Sequence, residues 1–437
     1  MSDCLEVLFV SDSSGKQKTA NCFNPKVGTT LMTYRGSGAP KRCVSLIGND
    51  YLVSADVNKP ILNIWPLNSQ EPMQELRMVI AGKPSALCVS PDGHYCVAGI
   101  DGKIYLWHIS SGSLLNVISR HYQAVNKICF TDDSSYFVTA GEDGLVLVWR
   151  VADVVAKQFG NVFRLNSSQV APVYSFSDHS LPVNDAFVGC GSLKARLFTI
   201  SSDQTCKIYC LSSGKLLLSI VFSHVLTAVT VNDIETQLFV GTASGKIQFF
   251  HLDSYPRSLE YHVPDDINES ATLTGHTKSV TCLSISLDGV TLASGSDDEK
   301  VFLWNVPSRQ LIRSFDMKGP VTNVFFSIAS SNIFLEKFKP LVVMSKFEKT
   351  SSAGDKNISV NVRINKTIEP LSLVSEFETP KQEVRKFVEK EEENVTTSLK
   401  DQISTLKNIN KELYQFAMNK ILKNPLTIGM NDNGTED

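Results

Sequence analysis

An aromatic residue returns every 42 positions in the first third of this chain. Phe23, Trp65, Trp107 and Trp149 are equally spaced, and each lies in a short β-like run. A period of that size is the mark of a repeat architecture, and the supersecondary unit that fits it is the four-stranded blade of a β-propeller, which buries its faces only by stacking on copies of itself. The chain is therefore expected to be all-β, and its function is to be sought on the surfaces of a propeller.

The ruler extends through Tyr209, Phe250 and Trp304, which makes seven blades. Two intervals are stretched, to 60 residues after Trp149 and 54 after Phe250, and this places insertions near 152–178 and 253–270. Both insertions are rich in loop formers, the kind of excursion that often carries contacts. The amino terminus supplies only about three strands, near 5–10, 18–24 and 29–34, where a blade needs four, whereas Pro320-Val321-Thr322-Asn323-Val324-Phe325-Phe326 is a strand without a blade of its own. That segment is expected to complete the first blade and close a propeller spanning 1–345, because a closed ring leaves no bare sheet edge.

Two segments carry more than strand pattern. In one, His276, Asp298 and Trp304 stand at offsets of 22 and 6, with Ser294 in the strand between them; in the other, His121, Asp143 and Trp149 repeat the same offsets. A buried indole N–H and a buried imidazole both need hydrogen-bond partners, and a carboxylate in the turn fixes the imidazole tautomer. These residues resemble the structural tetrad of WD40 repeats. Weaker copies keep the strands but lose tetrad members. Asp101 precedes Trp107 without a histidine, Asp203 precedes Tyr209, Ser244 precedes Phe250, and Lys59 stands where the aspartate before Trp65 belongs.

Beyond about residue 345 the chain changes character. Residues 346–379 are polar and turn-rich, and read as a linker or a strap over the propeller. Thr379-Pro380 with Gln382 reads as a helix start, with Thr379 as N-cap and Pro380 in the first position, and Pro425 ends the helix at about 424. Within this 380–424 segment Leu399, Leu406 and Leu413 fall seven apart, with Ile403, Asn410 and Ala417 at the alternate seam position. Leucine at one seam position, with a β-branched residue and a single asparagine at the other, favours a parallel two-stranded coiled coil, so these six residues are the expected dimerisation seam. An amphipathic helix packed on its own propeller or on another protein remains the alternative. Residues 425–437 read as a disordered tail.

Composition narrows the function. With 42 basic and 45 acidic side chains the net charge is −3, which argues against broad electrostatic capture of nucleic acid or anionic membrane. Arg35, Lys41, Arg42, Arg120, Lys194 and Arg196 lie in or near loops, so the sequence allows at most weak RNA contact. No apolar run approaches the ~20 residues of a membrane span, and no secretory leader precedes the 10 cysteines, which predicts a soluble chain with buried thiols in a reducing compartment. Cys206 and Cys210 have no second pair at zinc spacing, and no metal or cofactor is expected. Asp178-His179 and His224 are conceivable bases, but they precede strands where a repeat places its loop histidine. No nucleophile elbow, zinc-protease helix or phosphate loop is present, so the chain is not expected to be an enzyme.

Several longer strings narrow the resemblance. Thr33-Tyr34-Arg35-Gly36, Ile104-Tyr105-Leu106-Trp107, Ser119-Arg120-His121-Tyr122, Leu145-Val146-Leu147-Val148-Trp149, Lys318-Gly319-Pro320-Val321-Thr322-Asn323 and Ile409-Asn410-Lys411-Glu412-Leu413 together resemble the WD40-repeat subunits of the rixosome. The resemblance implies a non-catalytic scaffold in the nucleus and nucleolus, acting in large ribosomal subunit maturation and removal of the internal transcribed spacer 2. It further implies a propeller that binds a proline-, glutamate- and leucine-rich helical-repeat scaffold, association with other rixosome subunits and pre-60S particles, and terminal helices that pair two copies. The alternative is a WD40 substrate receptor of a ubiquitin ligase, although no helical adaptor-binding module is seen before residue 5.

Overall fold

The computed structural model describes residues 5–15, 18–159, 170–253, 258–263, 272–335, 337–338, 340–350 and 404–416. Within unit 1–363, seven antiparallel blades follow one another, and we letter the strands of each from a, innermost, to d. Blade 4 is typical, running Val125–Phe130, Tyr136–Gly141, Val146–Arg150 and Tyr174–Phe176. Its second strand is buried at every position, because blades on both sides cover it. All seven ruler aromatics lie on c strands.

Each blade interface holds its own hydrophobic cluster, from blades 1 and 2 around Trp65 to blades 7 and 1 around Leu8, Val10 and Leu303. Blade 1 draws on both ends of the ring. Val321–Ile328 is its a strand and pairs antiparallel with Glu6–Asp12, which continues into Ala20–Phe23 and Thr30–Tyr34.

The insertions hold more order than their composition suggests. Val151–Phe159 is a helix whose Val151 and Val154 pack into the cluster between blades 3 and 4. From the second insertion, Glu260–His262 pairs in parallel with Lys215–Val221, the d strand of blade 5, and gives that blade a fifth strand. Crossing back one blade covers an edge that would otherwise offer open N–H and C=O groups.

After Val321–Ile328 the chain straps blades 2 and 3. Asn332 and the backbone amides of Leu341 and Val342 bond the buried carboxylate of Asp50, while Phe338, Val342, Met344 and Phe347 pack on the cluster between those blades. The strap therefore begins well before residue 345. Unit 364–437 is described only over 404–416, which is helical; Leu399, Ile403 and Ala417 lie outside the described residues.

Candidate functional site

The tetrad residues converge in space. In blade 4, His121 Nδ1 lies 3.0 Å from Asp143, His121 Nε2 lies 2.8 Å from Thr139 Oγ1, and the Trp149 indole donates to that same hydroxyl at 3.1 Å. Blade 7 repeats the chain with His276, Asp298, Ser294 and Trp304, at 2.9, 2.8 and 2.9 Å. Both imidazoles are fully shielded from solvent, and every polar atom in the chain is used within the blade.

A third chain stands in blade 5, built on the loop histidine expected at His179. His179 reaches Asp203 and Thr199, each at 2.9 Å, at an offset of 24 rather than 22. Blade 5 thus keeps its histidine and aspartate, and Tyr209 in place of tryptophan donates to Asp178 instead. The extra length lies between the two inner strands, where Ser192–Lys194 forms a short 3-10 turn. In blades 2 and 3 the position ten residues before the tryptophan is Ala55 or Val97 and offers no hydroxyl. Those indoles donate to main-chain carbonyls, Trp65 to Arg35 and Trp107 to Glu348 of the strap, both at 2.9 Å. The turn of blade 2 is held by Asp56, whose carboxylate accepts from the amides of Asn58 and Lys59.

These networks set the charge state of their members. Burial would raise the carboxyls of Asp143, Asp203 and Asp298, yet hydrogen bonds from the facing histidines and from nearby amides hold all three below the ordinary aspartate range. For His276, burial wins over the pull of Asp298 and lowers the imidazole. Such groups are structural, with no open face for a substrate.

A second network was invisible in the sequence reading. Near the start of most a strands the register slips by one, and the displaced residue reaches the next blade. Ser85 donates to Val125 O, Asn126 to Val183 O, Asn184 to Leu226 O, Thr227 to Val280 O and Thr281 to Val321 O, at 2.6 to 2.9 Å. Asn323 carries the series on to Pro40 O at 2.9 Å. A small polar residue five places after each tetrad histidine (Asn126, Asn184, Thr281) was the available signal.

The six basic residues do not gather into one patch. Arg35 pairs with Glu71, Lys41 with Asp297 and Arg196 with Glu235, in separate blades. Arg42 points inward. With φ at 59°, it reaches across the central channel, its Nε 3.3 Å from Asp185 and its Nη2 3.0 Å from Thr227 O; Lys127 Nζ also meets Asp185, at 3.4 Å.

In the helix over 404–416, Leu406 and Leu413 are exposed by 64% and 60%, and Asn410 is exposed between them, so the middle of the expected seam faces solvent. The nine described cysteines are free, and the described residues include no group of three or more His, Cys, Asp or Glu side chains placed to hold a metal. No described helix is long and apolar enough to cross a membrane.

The seven-bladed ring and its His–Asp–hydroxyl–Trp chains define a WD40-repeat β-propeller. The WD domain, G-beta repeat family matches residues 76–108, 112–150 and 268–305, which includes both full tetrad blades. The chain belongs to the WD repeat-containing protein 18 family. It is 35% identical to WD repeat-containing protein 18 of Danio rerio over 97% of this chain and 100% of that protein, and 33% identical to its Homo sapiens counterpart over 94% and 97%. It is also 28% identical to pre-rRNA-processing protein pro-1 of Caenorhabditis briggsae, over 77% of this chain and 64% of that protein.

Proposed function

We propose that this protein is a non-catalytic scaffold subunit in pre-rRNA processing for the large ribosomal subunit, acting in the nucleus and nucleolus. The observation that carries the reading is near-full-length similarity to the WD repeat-containing protein 18 family, joined to similarity with pre-rRNA-processing relatives. The chemistry of the ring agrees with it, since its buried histidines and aspartates are consumed by structural networks rather than aimed into a cleft.

In this reading the propeller grips a proline-, glutamate- and leucine-rich helical-repeat partner within the rixosome, and the 380–424 segment pairs two copies. The exposed leucines at 406 and 413 support the second part, because apolar side chains seven apart on a water-facing helix gain from a partner. Pairing would convert two weak contacts with a shared partner into one strong one through effective concentration.

The test is affinity purification of the tagged full chain from nuclei, with depletion of the chain scored by precursor rRNA. Recovery of the helical-repeat scaffold with pre-60S proteins, and accumulation of precursors that retain the internal transcribed spacer 2, are expected. Recovery of a cullin adaptor, with normal precursor ratios on depletion, would replace this reading by the ubiquitin-ligase receptor.

A further inference from the structure

The central channel holds a cavity of about 310 Å³, walled by the inner strands of the blades. Among its lining residues the charged groups are Arg42, Lys127 and Asp185, two cations against one carboxylate. Asp185 already faces both cations. Its Oδ1 takes Arg42 Nε, Lys127 Nζ and the amide of Ala186 at 3.3, 3.4 and 3.0 Å, and its Oδ2 takes the amide of Val229 at 3.3 Å.

One positive charge is therefore left over in a partly dry cavity. The rest of the wall carries no compensating charge, since Cys88 and Cys282 are thiols that burial keeps protonated and its other polar side chains, Ser45, Thr281, Thr322, Asn323 and Ser327, are neutral. Lys127 does not escape by losing its proton. Burial alone would lower its pKa, and the facing carboxylate more than offsets that, so the ammonium persists at neutral pH.

Donors remain as well as charge. Arg42 spends Nε and Nη2 on Asp185 and Thr227 O, which fixes the guanidinium plane across the channel, while its Nη1 meets no acceptor among the described residues. The three hydrogens of Lys127 face Asp185 as their sole protein acceptor among the described residues. A planar fork beside a point charge in a partly desolvated cavity is the donor set that takes a tetrahedral oxyanion. The volume is roughly that of ten waters, at about 30 Å³ each, which suits a phosphate with part of its hydration shell.

We propose that the central channel is an anion site in which a phosphate-class oxyanion bridges Arg42 and Lys127 and neutralises the charge that Asp185 leaves uncompensated. Because Arg42 leads into blade 2 and Lys127 belongs to blade 4, such an ion fastens two blades that are not sequence neighbours. Binding to the closed ring alone raises the stability of the ring.

The test uses the full chain and inorganic phosphate, with ionic strength held constant by chloride. Saturable broadening of the phosphate ³¹P resonance is expected, with a melting temperature that climbs with the logarithm of phosphate concentration. Lys127→Gln removes the surplus charge and leaves the Arg42–Asp185 pair intact, so it is expected to melt cooperatively without phosphate and to abolish both responses. Lys127→Arg keeps the charge and is expected to restore them. A wild-type chain whose linewidth and melting temperature ignore phosphate overturns the proposal, whatever the variants do. An equal response in wild type and Lys127→Gln overturns it too, since the ion then binds elsewhere. If the free ion is merely standing in for a phosphoryl group carried by a small metabolite, glycerol 2-phosphate competes for the broadening; if the site is built for the bare ion, it does not.

Discussion

At His276 the physics of a single side chain is open to measurement. Burial lowers this imidazole, so the folded protein binds its proton less readily than the unfolded chain, whose histidine titrates at about pH 6.5. The contribution to stability is complete above that pH and is lost as pH falls from there through the lower folded value. Asp298 adds a second acid-sensitive step. Its carboxyl is held below the ordinary aspartate value, so its stabilisation is present above about pH 4 and fades as pH falls through the folded value. Melting temperature recorded against pH is expected to decline from about pH 6.5 downward in wild type. His276→Gln leaves Ser294 and Asp298 without the imidazole that joins them, and is expected to cost about 2 kcal/mol at neutral pH. It is also expected to flatten the curve just below about pH 6.5; parallel curves for the two proteins would assign the pH dependence elsewhere. Blades 4 and 7 could be read in the sequence because histidine, hydroxyl, aspartate and tryptophan stand there at fixed offsets. Blade 5 could be read only in part: His179 and Asp203 were each legible, but two additional residues in a turn moved them off the offset of 22 that would have joined them, while the hydrogen bonds survived.

Strands and straps raise a different question, namely what replaces a tetrad where its residues are missing. In blade 3 the answer is another element: the strap supplies Glu348 O to the Trp107 indole and lays Phe347 on its ring at 5.4 Å between centroids. Phe347 is 6% exposed, and Phe347→Ala is expected to cost about 3 kcal/mol and to release the strap, read as faster amide exchange at Ser345 and Glu348, whose amides bond Ile109 O and Gly112 O. Unchanged exchange there would mean that Asp50 holds the strap alone. The interblade clasps allow a second test at this scale. Thr281→Val preserves shape and removes a hydroxyl shared between Gly295 O and Val321 O, at an expected cost of about 1 kcal/mol. Thr227→Val acts on the equivalent clasp one blade earlier, and the pair is expected to lose more than the sum of its single costs in melting experiments, because both clasps flank blade 7 or its neighbour in one closed ring. The hydrophobic period made the strands legible, but a clasp depends on a one-residue register slip between strands, and a slip changes which face a side chain takes without changing composition. The strap was hidden for a related reason: its apolar residues, Phe338, Val342, Met344 and Phe347, follow neither a strand nor a helix period, because irregular backbone lays them on a surface that other residues create.

For the whole molecule, the decisive element is blade 1. Val7, Leu8, Phe9 and Val10 are at most 1% exposed, and Val321–Ile328 is what covers the inner edge of their strand. Phe9 stacks on Phe325 at 5.2 Å, and Ser11, Thr322 and Asn323 bond one another beside it. Uncovering four such side chains forfeits on the order of 10 kcal/mol, the scale of the entire stability of an ordinary domain, about 5–15 kcal/mol. A chain ending at residue 318 is therefore expected to lose its cooperative melt altogether rather than melt a few degrees early. A sharp transition at the full-length temperature would show that the ring closes without the inner strand of blade 1.

The 380–424 segment carries the last prediction, on the mass of the full chain in solution. Its described portion exposes Leu406, Ile409 and Leu413 at steps of three and four, which places them on one side of the helix over 404–416. Burying that side against a second copy is worth a few kcal/mol per chain, at ~1.5–3 kcal/mol for each large apolar side chain, and is offset in part by the entropy of association. The balance is close enough that the polar seam residue matters. Asn410 at the seam lowers stability and fixes register, so Asn410→Leu is expected to tighten association while relaxing the choice between two and more strands. Leu413→Asp places a charge in the seam and is expected to give a monomer. Sedimentation equilibrium of wild type is then expected to report twice the chain mass of 48.2 kDa, Asn410→Leu a mixture at or above that value, and Leu413→Asp the single chain. One mass shared by all three proteins would remove the seam as the site of pairing, and would leave the exposed leucines to a partner other than a second copy.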